Sequence, residues 1–316
     1  MKDQEAEIEN LPSETEVDLG DWVASTLVDA AATGVIPVLP WRLRPVIQKE
    51  SFLKYWREVW SLRHFIWADA RAKALQSTRG AFLGKVWLVL SPFLNAMIFY
   101  VVFGLLLNIS RGIPNFLGYL VIGVVFFPVY NAALSSGSKA LLNSAKLVKA
   151  FPFPKATVVM AWSVRAVLDF LPVLLAALIF IVFVPPRVAP TILWPLVIPI
   201  LAIGFVFGNG LALLLSSVTA ALPDLKFVWP LLGRFWFYTS GVFFSISRFD
   251  SIFAVVVIMQ ANPAYVFLTM CRDVLIYSTA PSLFQWVYLT AWSVGMWIVG
   301  AVVFWWREDS YVEELG

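Results

Sequence analysis

Charge and cysteine are what this sequence is short of. Only 14% of its 316 residues are Asp, Glu, Lys or Arg, against roughly 25% in a typical soluble domain. One cysteine, Cys271, excludes an internal disulfide and a cysteine-built metal site. One histidine, His64, argues against His-rich metal or proton-relay chemistry. There is no GxxxxGK[ST] phosphate loop, so the chain does not bind ATP by that route. No HExxH and no DxDxDG-type pattern occurs, and no internal repeat that would suggest an inverted-repeat transporter.

What is abundant is apolar. Hydrophobic residues make up 60% of the chain and mean hydropathy is +0.80. A soluble protein is about 45–50% apolar, so one water-soluble core of this size cannot hold the surplus and lipid must cover part of it. Fifteen tryptophans fit the same reading, because Trp and Tyr concentrate at membrane interfaces. The net charge of +3 hides an asymmetry. Residues 1–50 carry ten acidic and four basic residues, a balance of −6, and residues 51–316 carry ten acidic and nineteen basic, a balance of +9. The acidic head has no 7–15-residue apolar run behind basic residues and is not read as a secretory signal peptide.

Four regions follow. Residues 1–50 read as an acidic cytoplasmic extension, with Pro37, Pro40 and Pro45 in its second half. Residues 51–82 hold an amphipathic helix over 52–76. Arg57, His64 and Arg71 recur on one face, Val59, Leu62, Ile66 and Ala70 lie on the other, and Trp56, Trp60 and Trp67 act as anchors. A basic, Trp-bearing helix of this kind lies in the membrane surface. Residues 83–306 hold six expected spans, at 83–107, 116–136, 157–184, 191–217, 227–247 and 284–306. The fifth carries Arg234. The apolar stretch 251–280 is interrupted by Asn262, Pro263, Arg272 and Asp273, and reads as a re-entrant pair of short helices. Residues 307–316 form a C-terminal tail. Loop 137–156 carries four lysines and no acid, and the stretch before the first span is basic too. The positive-inside rule therefore puts both termini in the cytoplasm.

Three constellations stand out. The short basic segment NSAKLVKAFPFPKAT, 143–157, is stiffened by Pro152 and Pro154 and offers Lys146, Lys149, Phe151 and Phe153 to a soluble partner. The alternative is a merely solvated positive-inside loop. Trp229, Trp236 and Phe243 recur every seven residues, and Phe93 and Tyr100 share a face of the first span, with Ser91 and Asn95 as a polar stripe. Such aromatic faces can line a path for sugars without gripping it, or can simply pack helices. Arg165 and Asp169, four apart in the third span, can pair on one helix face. They read as a structural ion pair, since a proton path would offer a longer chain of such groups. Gly204 and Gly208 form a GxxxG suited to close helix packing.

From the coupling segment outward the chain resembles a known family. ADARAKALQSTRGAFLGKVWLVLSPFLNAMIFYVVFG (68–104), IPNFLGYLVIGVVFFPVYNAALSSG (113–137), NSAKLVKAFPFPKAT, FYTSGVFFS (237–245) and ANPAYVFLTMCRDVLIYSTAP (261–281) occur in the order seen in permease subunits of type 2 ABC exporters. The branch is that of polysaccharide, O-antigen and teichoic-acid export. Two departures are visible: Pro223 stands in ALPDLK where the family often has arginine, and Ser240 is followed by Gly241 where it often has proline.

The resemblance implies an all-α membrane protein that works as a homodimer above two ATP-binding cassette subunits. This chain would hold no cofactor and do no catalysis, with ATP and magnesium on the partner. The substrate would be a lipid-linked glycan, the setting the cytoplasmic membrane and its lipids, and no nucleic acid would be involved. Lys146, Lys149, Phe151, Pro152, Phe153 and Pro154 would couple to the ATPase. Phe93, Asn95, Tyr100, Trp229, Trp236 and Phe243 would line the channel, and Asn262, Pro263 and Arg272 would gate its outer mouth. The other readings are an exporter of lipids or drugs, a membrane-embedded transferase, and a channel.

Overall fold

A computed structural model describes residues 51–76, 84–107, 113–246 and 252–311. The acidic extension therefore lies outside the described residues. The described residues are helical, with no strand among them. Helix α1 (Phe52–Ser61) and α2 (Arg63–Gln76) are separated by one residue, Leu62. Tyr55, Val59, Ile66 and Ala70 are buried while Arg57, His64 and Arg71 are exposed, which is the facial division that the seven-residue spacing predicts. Helix α3 (Gly84–Phe99) runs on into a π-helical stretch, Tyr100–Leu106. Then come α4 (Phe116–Phe126), α5 (Pro128–Ser135), α6 (Ala140–Asn143) and α7 (Ala145–Ala150). Helices α8 (Ala156–Phe183), α9 (Val197–Ala221) and α10 (Leu225–Thr239) follow. Helix α11 (Phe253–Gln260), α12 (Pro263–Arg272, extended by a π-helical Asp273–Tyr277) and α13 (Leu283–Trp306) complete the order.

Among the described residues five stretches are long and apolar enough to cross a bilayer: 86–106, 116–150, 156–183, 194–221 and 283–306. Helices α11 and α12 bend by 79° at their junction and make a sixth only if counted as one span. The bend is written in the sequence. Pro263 sits at the first helical position, and Asn262 caps the helix by accepting from the Ala264 N–H at 3.0 Å. The expected fifth span, 227–247, is corrected. Helix α10 has only 15 residues, about 22 Å at 1.5 Å per residue, short of a 30 Å hydrocarbon core. It stops because Gly241 takes φ +64, a left-handed turn that glycine adopts without steric cost. Val242 and Phe243 then fold back into the interior.

Burial is inverted relative to a soluble protein. The most apolar window of 116–150 is 78% buried and that of 194–221 is 56% buried, whereas 86–106 is 11% and 156–183 is 17% buried. These two stretches thus form the centre, and their neighbours turn Leu, Ile and Val outward. Water would oppose that arrangement, and hydrocarbon does not. Helix α9 packs along α13, where a Cβ on Gly210 would strike the backbone of Trp297 and one on Gly300 would strike the Gly210 carbonyl. The GxxxG residues face other neighbours. Gly204 makes room for Phe267, and Gly208 for the backbone of Val129.

Candidate functional site

The proline-stiffened segment is held by two distant parts of the chain. Helix α8 starts at Ala156, so the N–H groups of Lys155 and Ala156 have no partner within the helix. Glu308, just past α13, accepts from the Lys155 N–H at 2.9 Å and pairs with its Nζ at 3.3 Å. The Tyr55 hydroxyl of α1 accepts from the Ala156 N–H at 3.1 Å and donates to Glu308 at 2.6 Å. A carboxylate and a phenol therefore cap α8 together, where the helix dipole favours negative charge. Burial pushes the Glu308 carboxyl above its ordinary value, against the pull of the Lys155 N–H, the Tyr55 hydroxyl and the Lys155 charge. Burial, then the Glu308 charge, holds the Tyr55 phenol well above its own. Nearby, the Tyr311 hydroxyl donates to Ser217 Oγ at 2.7 Å and so ties the tail to α9.

The six coupling candidates divide. Lys146, Lys149, Phe151 and Pro152 are exposed, and Phe151 shows 60% of its surface. Pro154 is buried and Phe153 half-buried, its ring 6.3 Å from Phe65 of α2. The exposed four offer a small apolar tip between cations, while Phe153 packs near α2 and Pro154 is buried.

At the opposite end of the spans, Arg272 is buried with 2% exposure and makes no ion pair among the described residues. Its guanidinium lies over the Tyr119 ring, and Nε and Nη2 reach the carbonyls of Tyr119 and Val242 at 3.4 Å each. Gly123 makes the room, for a Cβ there would stand 2.9 Å from Nη2. The Tyr119 hydroxyl is within 2.8 Å of the Gly241 carbonyl and 2.7 Å of that of Phe244. One residue of α4 thus holds both the buried cation and the turn that ends α10.

The channel candidates do not share one face. Trp236 donates to Asn262 Oδ1 at 2.8 Å and packs on Phe127 and Tyr130, so it joins the proposed gate instead of an open wall. Asn262 Nδ2 donates in turn to Ser240 Oγ at 3.0 Å. Trp229 donates to Thr219 at 2.9 Å. Phe243, 1% exposed, stacks on Phe103 at 4.5 Å and packs against Phe99. Phe93 packs on Phe180 and Tyr100 on Phe116, while Asn95 is exposed. The open face of α10 carries Phe227, Leu231, Arg234, Phe235 and Tyr238 instead. Arg165 and Asp169 do pair, with Nε and Oδ2 3.3 Å apart.

A chain with these apolar helices and a stiffened, cation-flanked exposed tip is matched by one family description, ABC-2 type transporter, over residues 64–276. The chain belongs to that family. The match begins in α2 and ends beyond Arg272. It includes the coupling segment and the Arg272–Tyr119 contact, and leaves out Tyr55 and Glu308. The ABC-2 chain is also similar to the O-antigen export system permease protein RfbA of Myxococcus xanthus. That relative is 21% identical over 262 residues, 82% of this chain and 98% of the relative. Two proteins of the same name from Klebsiella pneumoniae are 24% identical over 202 residues and 25% over 149. These alignments cover 64% and 47% of this chain, and 76% and 56% of the relatives.

Reading the sequence missed Glu308, Tyr55, Tyr119 and Gly123. No local pattern marks them, because each acts on a partner more than a hundred residues away. Asn262-Pro263 was legible as a break in an apolar stretch, and Arg272 as a cation inside it.

Proposed function

We propose that this chain is the membrane-spanning subunit of an ATP-driven exporter of a lipid-linked polysaccharide. It works as a pair of identical chains above two ATP-binding cassette subunits in the cytoplasmic membrane, with both termini on the cytoplasmic side. ATP and magnesium act on the partner, and this chain supplies the path. Helices α1 and α2 lie in the membrane surface and the bent pair α11–α12 re-enters from the far side. The names of the relatives and the family support the substrate class.

The observation that carries the mechanism is the shared cap on α8. A force applied to Phe151 and its flanking lysines passes through Pro152–Pro154 to a helix end that α1 and the tail also grip. It therefore moves α1, α8 and α13 as one body. The path itself runs along the open faces of α10 and α3, with Asn95 on the latter. Arg234 on α10 costs roughly 2.5–3.5 kcal/mol if it faces lipid, and that cost falls against a second copy or a hydrated path. Purification of the native complex in mild detergent, with identification of everything retained, tests the reading. Equal amounts of a chain with a GxxxxGK[ST] loop, and ATP-dependent transfer of a glycan lipid in proteoliposomes, are expected. A stable protein that comes out alone and conducts ions without ATP would overturn it.

A further inference from the structure

A cavity of about 410 Å³ lies between α3, α4–α5, α8 and α9, within the 300–1,000 Å³ range of ligand sites. It is polar at one end and apolar at the other. Ser136 and Asn143 stand at the polar end and are exposed, so the cavity opens to the outside there. Val173 and Phe205 close the apolar end. Arg165 and Asp169 line it together, with side chains 34% and 29% exposed.

The pair is incompletely used. Arg165 spends Nε on Asp169 Oδ2, and its other nitrogens make no hydrogen bond among the described residues. Asp169 accepts through that one oxygen. A guanidinium has five N–H donors and a carboxylate about four acceptor positions, so both retain capacity beside the cavity. Groups of this kind inside a span are costly unless something satisfies them.

We infer that this cavity binds the zwitterionic headgroup of a membrane phospholipid, with its phosphate on Arg165 and its primary ammonium on Asp169, and an acyl chain along the apolar end. Charge selects this class. A purely anionic phosphate would place its charge against Asp169, and a simple amine would place its charge against Arg165. A group that carries both leaves neither unpaired, and an ammonium with N–H donors serves the carboxylate where a quaternary ammonium cannot. The inference does not depend on polysaccharide export, because it concerns a lipid of the surrounding bilayer.

The test is native mass spectrometry of the full-length protein in detergent micelles. Palmitoyl-oleoyl phosphatidylethanolamine, phosphatidylglycerol or phosphatidylcholine is added in turn, and unfolding temperature reports integrity. Phosphatidylethanolamine is expected to be retained about tenfold more than either other lipid, as one charge-assisted hydrogen bond implies. Asp169→Asn should abolish the preference over phosphatidylglycerol, and Arg165→Gln should weaken all three. Ala166→Phe, which fills the cavity while leaving both charged residues in place, should also lower all three and serves if a charge variant fails to fold. Equal retention of the three lipids by the wild type, or an undiminished preference in Asp169→Asn, would overturn the inference.

Discussion

The guanidinium carbon of Arg272 lies 3.4 Å from the centre of the Tyr119 ring, and no described carboxylate pairs with it. A buried cation with no ion pair among the described residues is held here by a ring quadrupole and two carbonyl dipoles. Since the same tyrosine bonds the backbone of the Gly241 turn, the end of α10 and the start of the π-helical stretch after α12 are fastened at one point.

A double-mutant cycle checks that fastening. Arg272→Lys and Tyr119→Leu should each lower stability by about 2 kcal/mol, because lysine lacks the planar stack and leucine lacks the ring. The double variant should cost less than the sum, with a coupling of about 1–2 kcal/mol. Gly123→Ala should cost about 1–3 kcal/mol by overpacking the guanidinium. Unfolding in detergent micelles provides the numbers, and a coupling near zero would contradict the stacked arrangement.

Glu308 should govern coupling and respond to pH. Glu308→Ala leaves the Lys155 N–H without its acceptor and should cost about 1–3 kcal/mol. It should also reduce stimulation of the ATPase partner in the reconstituted complex. The carboxyl is raised above its ordinary 4.5 chiefly by burial, so the folded chain holds this proton more tightly than the unfolded one. Its contribution to stability is complete below the unfolded value and is lost as pH rises through the folded value. Wild-type melting should therefore gain on that of Glu308→Gln as pH is lowered from neutral. A pH-independent difference would refute the assignment.

Phe151 and Phe153 should separate in their effects. Phe151→Ala removes an exposed ring and should leave the unfolding free energy within about 0.5 kcal/mol of wild type, while lowering retention of the ATPase partner on a pull-down. Phe153→Ala removes a ring packed near Phe65, so it should lower stability as well as coupling. Identical profiles for the two variants would mean that the segment docks as a unit.

The open face of α10 should be reachable where its other face is not. The native Cys271 is buried and supplies little background. Leu231→Cys and Phe235→Cys should react with a membrane-permeant thiol reagent and form disulfides between copies. Phe243→Cys, at a position 1% exposed, should stay unreacted in the resting protein. Rapid labelling at 243 would place the channel on the inner aromatic face.

Composition and run length were enough to read the medium in which this chain folds and most of its spans, because hydrophobic periodicity and helix length are local properties. The boundaries of α8 and α13 fall within one residue of the expected 157–184 and 284–306. The facial split of α1 and α2 and the break at Asn262-Pro263 were equally local. The truncation of α10 was less visible. Glycine at 241 permits a left-handed turn, but only the inward packing of Val242 and Phe243 imposes it. Which face of α10 is open was illegible too, since seven-residue spacing marks a stripe without saying what it meets. Glu308, Tyr55, Tyr119 and Gly123 gained their roles only in three dimensions. Each satisfies an orphaned helix end, or makes room for or stacks on a buried cation, far away along the chain. Sequence proximity carries no information about such partners, whereas the cost of an unpaired polar group in hydrocarbon decides in the folded chain where they must meet.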